Sequence, residues 1–469
     1  MFEKVRRDMK KSQKMSCIQI IKCFVFLLLL AGIFWFCKIA LIPSSYVRVV
    51  FNELKNSDEN YDCIILGASH ARSDIDPFIV SENLGVNAIN IAVPGEKMDD
   101  SYYILKEAMA NNTVKKVILD LDYQYWYKLA RNDFADTFIY EQLTDNKTKF
   151  EYAYQNLLDK DFRVFFARYA YFIDNYNKIE SNIKTKLSKA YKECSIDAVV
   201  DPNSYGGQYQ GRGFFYNPNS GDVVKSDDMK QIVFDADKID TKTYQYFLKI
   251  VEYCKSNNIE LICITSPIAR GVAISGDYEK IHNYFDKICK ENNINYFDFN
   301  YVKQSVLDFT ISDYVDYDGH MTGDIIKRYT AALCDVIKQK NSEFFSKSEF
   351  FYNNYDELVE SIKSVEIVWM NLETDFTGNE EDSSCTVSLE AKSTQGKDIY
   401  PMYRIEVVDV SNNKVVFSTE YSEEKNYLFK LSEGKYYIFV YGRTKGTDVP
   451  YEQYNRKTIN IADKTVNFN

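Results

Sequence analysis

Only three histidines occur in this 469-residue chain, His70, His282 and His320, so chemistry that needs an imidazole base has few places to happen. A serine hydroxyl attacks a carbonyl once a base removes its proton, and the base works best when a carboxylate holds its tautomer. Ser69, in the stretch YDCIILGASHARSDIDP (61–77), follows an apolar run and a glycine and is the candidate nucleophile. His70 adjoins it and would point elsewhere, so it is expected to line the pocket with Arg72 rather than act as base. His282, inside YEKIHNYFDKI, reads as a structural residue of a helix. His320 stands in SDYVDYDGHMTGDIIKRY, just ahead of an apolar helical face formed by Ile325, Ile326, Tyr329, Leu333, Val336 and Ile337. Asp313, Asp316 and Asp318 crowd upstream of it, and any one could accept a hydrogen bond from the imidazole and raise its basicity. A serine activated in this way makes or breaks esters through an acyl-enzyme. The ten cysteines include no CxxC, and no His/Cys cluster has ligand spacing, so neither a metal nor a cofactor is expected.

These side chains need a frame. CIILG (63–67), AINIAV (88–93), KVILDLD (116–122) and LICITSP (261–267) are near-continuous apolar runs, the pattern of parallel strands covered on both faces. Between them, 101–110 and 244–254 carry apolar residues at helical spacing. Alternation of this kind predicts an α/β fold with helices on both faces of a parallel sheet, and active sites there lie beyond the carboxyl ends of the strands. Ser69, Gly95 and the TSP at 265–267 fall at such ends. A helical insertion rich in Tyr, Phe, Lys and Asn interrupts the alternation at about 123–240, and the glycine-rich stretch at 205–222 reads as a flexible flap, with Arg212 a weak pointer to an anion. Past residue 341 plain alternation takes over, at EIVWMNL (366–372), CTVSLEA, YRIEVVDV, KVVFSTEY, YLFKL and KYYIFVYG. Short strands with turns such as SNN and SEG between them predict a β-sandwich of immunoglobulin type.

Taken together, the blocks resemble the SGNH (GDSL-like) hydrolase superfamily. In that family a Gly-x-Ser follows the first strand, an oxyanion-hole glycine follows the second, and a late Asp and His precede the last helix. Gly67-Ala68-Ser69, Gly95 in NIAVPGE, and Asp318-Gly319-His320 match these positions, with Ala68 in place of the usual aspartate. The Asp-x-His spacing is similar to that of the alginate O-acetyltransferase branch. The loop after 116–122 reads YQYW and lacks the family's asparagine, so Gln124 or a backbone amide is expected to stand in. The resemblance covers about 60–340 less the insertion. It implies Ser69 as nucleophile, His320 as base, Asp318 as its partner, and an oxyanion hole built from Ser69, Gly95 and Gln124, with Asp316 lining the pocket.

Composition bounds the setting. The charged fraction is 27% and the hydrophobic fraction 45%, with 38 Tyr and 31 Phe beside 8 Pro, which is the make-up of folded domains. Net charge is −11, while the first fifteen residues carry a net +4, so the remainder carries −15 and would repel phosphate backbones; nucleic acid is not an expected partner. After the basic tail (1–16) comes CIQIIKCFVFLLLLAGIFWFCKIALIP (17–43), apolar without a break from Cys23 to Cys37. Its length and its basic flank predict a transmembrane anchor with the N-terminus cytoplasmic and the bulk of the chain outside the plasma membrane. The expected organisation is thus tail, anchor, an SGNH-like α/β domain at 45–342, a linker helix at 343–365 and a sandwich at 366–469. An anchored external SGNH domain also resembles the D-alanyl transfer protein of teichoic acid operons and the alginate acetylation proteins. That implies ester chemistry on an extracellular glycopolymer, by hydrolysis or by transfer from a multi-span membrane acyltransferase. The competing expectation is a non-catalytic glycan-binding or assembly protein that keeps the fold.

Overall fold

The computed structural model describes residues 2–468 apart from 57, 128–132, 200–206, 219–231, 275, 310–312, 317, 343–344, 364–369, 380–383, 394–399, 413, 446–450, 452 and 463–464. The chain divides into two compact units, Met1–Pro218 with Lys238–Ile262, and Asn219–Asp237 with Cys263–Asn469.

The first unit begins with α1 (Phe2–Leu41), whose segment Ile18–Leu41 is long and apolar enough to cross a membrane or to serve as a signal sequence. Ala40, Leu41 and Ile42 are buried, and Pro43 stops the helix because it offers no N–H. In α2 (Tyr46–Asn56), Val47, Val50, Phe51 and Leu54 recur at three- and four-residue spacing and form a buried stripe. Strand β1 (Cys63–Leu66) is buried throughout and leads into α3 (Ser69–Asp74) and α4 (Pro77–Leu84). Asp76 caps α4 by accepting from Phe78 N at 2.8 Å, with Pro77 at the first helical position. Then follow β2 (Ala88–Asn90), α5 (Met98–Asn111) and β3 (Lys116–Asp120). Both β2 and β3 pair with β1 in parallel, Ile64 lying against Ile89 on one side and Val117 on the other.

Among its described residues the insertion holds six α-helices: α6 (Asp133–Gln142), α7 (Asn146–Asn156), α8 (Arg163–Phe166), α9 (Arg168–Tyr171), α10 (Ile179–Leu187) and α11 (Lys189–Lys192). Lys160 ties them to α5, its ammonium lying 2.7 Å from Asp100, 3.2 Å from Asp99 and 2.5 Å from Asp136, with Tyr152 Oη at 2.9 Å. All five side chains are buried, so each charge depends on the others for compensation. The glycine-rich stretch expected as a flap forms, over its described residues, a hairpin of β4 (Gln208–Gly211) and β5 (Phe214–Tyr216). Arg212 at its turn pairs with Glu59 at 2.8 Å and covers the rings of Tyr61 and Phe78, so the anion expected there is replaced by the chain's own carboxylate. Helix α12 (Thr241–Ser256), capped by Asp240, leads into β6 (Glu260–Thr265), which opens with Glu260 N donating to Lys115 O at 2.8 Å.

In the second unit the remainder of β6 is followed by α13 (Arg270–Ala273), α14 (Tyr278–Glu291), β7 (Asn295–Asp298) and α15 (Ile325–Gln339). The sheet order is β2-β1-β3-β6-β7. His282 meets Asp298 at 2.9 Å and stacks on Tyr301, fastening α14 to the end of β7. The expected linker helix is two short helices, α16 (Lys347–Phe350) and α17 (Tyr355–Lys363). Then come β8 (Met370–Asn379), β9 (Ser384–Ser393), β10 (Pro401–Asp409), β11 (Lys414–Ser418), β12 (Asn426–Lys430), β13 (Gly434–Thr444), β14 (Gln453–Ala462) and β15 (Thr465–Phe468). They form two antiparallel sheets, β12-β9-β8 and β11-β10-β13-β14-β15. Their inner faces share one core, in which Val387 and Phe429 of the first sheet join Ile405, Val407 and Ile438 of the second. Residues 366–369 of the first expected strand lie outside the described residues. Strands β7, β14 and β15 were not anticipated: NYFD is only four residues long, and β14 carries Arg456, Lys457 and Thr458 in its middle.

The hairpin rests on β2 at a point that admits no side chain. Asn90 N donates to Arg212 O at 2.9 Å, and a Cβ on Gly213, whose φ is +77°, would lie 1.7 Å from Asn90 O. Gly213→Ala is expected to destabilise the first unit by about 2 kcal/mol or more, seen as a lower urea midpoint followed through the buried Trp126.

Candidate active site

Ser69 is the first residue of α3, immediately beyond the carboxyl end of β1, and is half-buried where its neighbours are fully buried. The turn that presents it needs Gly67. Its φ is +143°, and a Cβ there would stand 2.8 Å from Ala71 Cβ and 2.9 Å from Asp120 Cβ. At the other end of α3, Asn90 Nδ2 donates to Ala71 O at 2.7 Å and Ile75 O at 3.0 Å, so strand β2 holds the short helix by its carbonyls.

Gly95, the expected oxyanion residue, sits buried with φ +77° in a turn closed by Glu96 N donating to Val93 O at 2.9 Å. Glu96 itself is buried, accepts from Val93 N at 2.9 Å, and takes the hydroxyl of Ser101. One carboxyl group therefore links the turn that carries Gly95 to the first turns of α5. Burial pushes this carboxyl well above the ordinary range. The sequence reading passed over Glu96 and Asn90. The signal was present for Asn90, the lone polar residue within an apolar strand.

His70 and Arg72, expected in the pocket, are both buried. His70 Nδ1 lies 3.2 Å from Asp122 Oδ2, and the Arg72 guanidinium covers Phe215 at 4.9 Å and Tyr46 at 5.6 Å. Gln124 was expected to supply an oxyanion donor. It stands in the turn at the end of β3, where its backbone N–H donates to the capping Asp122 Oδ1 at 3.1 Å. The TSP residues Thr265 and Ser266 are buried, bonded to Tyr296 at 2.8 Å and to Tyr329 at 3.1 Å, which gives them a packing role.

In the second unit Asp316 and His320 are both buried, and Asp316 Oδ2 lies 2.7 Å from His320 Nδ1. The other carboxylate oxygen accepts from Gly319 N at 3.1 Å and His320 N at 3.2 Å. Gly319, with φ +112°, turns the chain so that a carboxylate four residues back reaches the ring. The structure thus sets Asp316 against the imidazole in place of the expected Asp318, which is exposed to solvent. Asp313 is directed to Arg328 at 3.7 Å. Three bonds to one carboxylate fix the orientation of the imidazole and of the loop that carries it. Among the described residues no group of three or more His, Cys, Asp or Glu could hold a metal ion.

The raised Glu96 carboxyl has a measurable consequence. Between the ordinary carboxylate pKa and its own, the folded chain holds a proton that the unfolded chain has released, so stability falls as pH rises through that window. The slope is at most about 1.4 kcal/mol per pH unit for one group. Urea midpoints taken from about pH 5 to about pH 7 should fall in the native chain and flatten in Glu96→Gln, whose amide keeps the shape and the acceptor oxygen.

No known family profile matches the sequence, and no curated protein matches it. Among solved structures it is similar to a protein assigned as an acylhydrolase from Bacteroides fragilis, at 13% identity over 62% of this chain and 91% of that one, with a TM-score of 0.28. It is also similar to a GDSL-like lipase from Bacteroides thetaiotaomicron, at 11% identity over 63% of this chain and all of that one, with a TM-score of 0.29. Scores this low carry no argument.

Proposed function

We propose that this chain is a serine-dependent enzyme of the SGNH type that makes or cleaves an ester on an extracellular glycopolymer such as a cell-envelope polysaccharide or a teichoic acid. The observation that carries this reading is the buried Asp316–His320 pair at 2.7 Å, because a carboxylate fixed on Nδ1 makes Nε2 a general base. His320 takes the proton of Ser69 as Oγ attacks the ester carbonyl, and Asp316 stabilises the imidazolium that forms. The Ser69 and Gly95 amides face the oxyanion, a contact worth about 3 to 4 kcal/mol of barrier per donor. The departing alkoxide leaves with the proton from His320. Water then releases the acyl group in an esterase; a sugar or polyol hydroxyl accepts it in a transferase, with a multi-span membrane acyltransferase as the supplier. The anchor at α1 holds the enzyme at the plasma membrane with the N-terminus inside, as the basic tail supports. The sandwich would bind the polymer or a partner.

A second reading, a binding or assembly protein that keeps the fold, is favoured by one observation: the loop after β3 reads YQYW and lacks the asparagine that the family places there as a third oxyanion donor. A fluorophosphonate probe decides between them. Labelling should be lost in Ser69→Ala and His320→Ala, and Asp316→Asn should slow ester hydrolysis by about 10²-fold or more while Asp318→Asn stays near wild type. No labelling of the wild-type chain would support the binding reading.

A further inference from the structure

The insertion contains a segment whose composition contrasts with the rest of the chain. Residues 162–194 carry seven Lys/Arg against three Asp/Glu, a net +4 within a chain of net −11, together with eight Phe/Tyr. Basic residues mixed with aromatic ones make up the surfaces that sit at a lipid headgroup layer, where the cations meet phosphates and the rings partition into the boundary.

The segment is also bonded to the end of α1. Asn182 Nδ2 donates to Ala40 O at 2.9 Å, Asn175 Nδ2 to Leu41 O at 3.4 Å, and Lys186 Nζ to Lys38 O at 2.9 Å, Ile39 O at 3.0 Å and Ile42 O at 2.5 Å. The carbonyls that the last turn of a helix leaves without partners are thus capped by the insertion, not by water. The contact extends below that turn. Tyr169 of α9 stacks on Phe34 with ring centroids 5.6 Å apart, and Phe34 stands seven residues, about 10 Å along the axis, before Leu41. Ile18–Leu41 spans about 36 Å as a helix, more than the roughly 30 Å of a hydrocarbon core, so a side chain touching Phe34 lies at bilayer depth. Around this contact, residues that are ordinarily buried face outward: Phe166 is 72% exposed, Ile173 54%, Tyr176 71% and Leu187 63%.

We infer that the insertion is a membrane-docking collar, in which residues 162–194 lie on the bilayer that α1 crosses, with Phe166, Ile173, Tyr176 and Leu187 entering the headgroup boundary. The occupant of this apolar face is the lipid surface, because the face is continuous with the span itself and the exposed Lys178, Lys184 and Lys192 of the same segment carry charge that anionic headgroups attract. The collar holds the α/β unit at a set height above the membrane rather than on a free tether. This inference rests on α1 spanning the bilayer, which the test examines separately.

The test uses the full chain in nanodiscs of phosphatidylcholine and phosphatidylglycerol, with a benzophenone amino acid replacing Leu28, Phe166, Ile173 or Tyr176 in turn. After irradiation, mass spectrometry reads lipid adducts. Adducts at position 28 and, with yields within a few-fold of it, at 166, 173 and 176 are expected. Adducts at 28 with none at the other three would overturn the collar while leaving the anchor in place. No adduct at 28 would show that α1 does not span, and the collar would fall with it.

Discussion

Buried in the turn that follows β2, the Glu96 carboxyl accepts from Val93 N and takes the Ser101 hydroxyl. The loop holding Gly95 and the start of α5 are joined through this one group. A loop at the end of a strand has few bonds of its own, and it keeps its geometry against the next helix only when something between them satisfies their donors. The cost is a carboxyl taken out of water, which explains why its proton is held far above the usual range. The fold accepts that cost because a buried N–H and a buried hydroxyl left unsatisfied would be worse.

The same economy appears in the second unit. Asp316 uses one oxygen on His320 Nδ1 and the other on the amides of Gly319 and His320, so the loop that carries the imidazole and the ring's orientation are set together. Lys160 plays the corresponding part in the insertion, gathering Asp99 and Asp100 from α5 and Asp136 from α6. Burial pushes Asp136 up to about 7, so the ammonium and its neighbours share charge and protons as a group. In each case a single ionisable side chain takes the place of regular secondary structure as the fastener.

How much of this could be read in advance depended on the range of the interactions. The strands β1, β2, β3 and β6 were legible because burial on both faces demands apolar residues without interruption, and the alternating strands β9 to β13 were legible because one face of a sandwich is wet. The Asp76-Pro77 cap needed only neighbouring residues. Ser69 and His320 were legible as types on loops next to a strand and a helix. The partner of His320 was not, because Asp313, Asp316 and Asp318 are equivalent in sequence and only the reversal at Gly319 selects one of them.

The sequence by itself determined the order of elements, the apolar span near the N-terminus, the α/β sheet followed by a sandwich, and the short roster of groups able to carry proton transfer. These follow from periodicity and composition, which act over a few residues. Tertiary structure alone decided that Asp316 faces the imidazole, that Glu96 ties the Gly95 turn to α5, that Arg212 answers Glu59 and not a ligand, and that the insertion caps the end of α1. Each of these joins groups whose meeting depends on how the chain turns and packs, and burial sets a price on any polar atom that fails to find its partner.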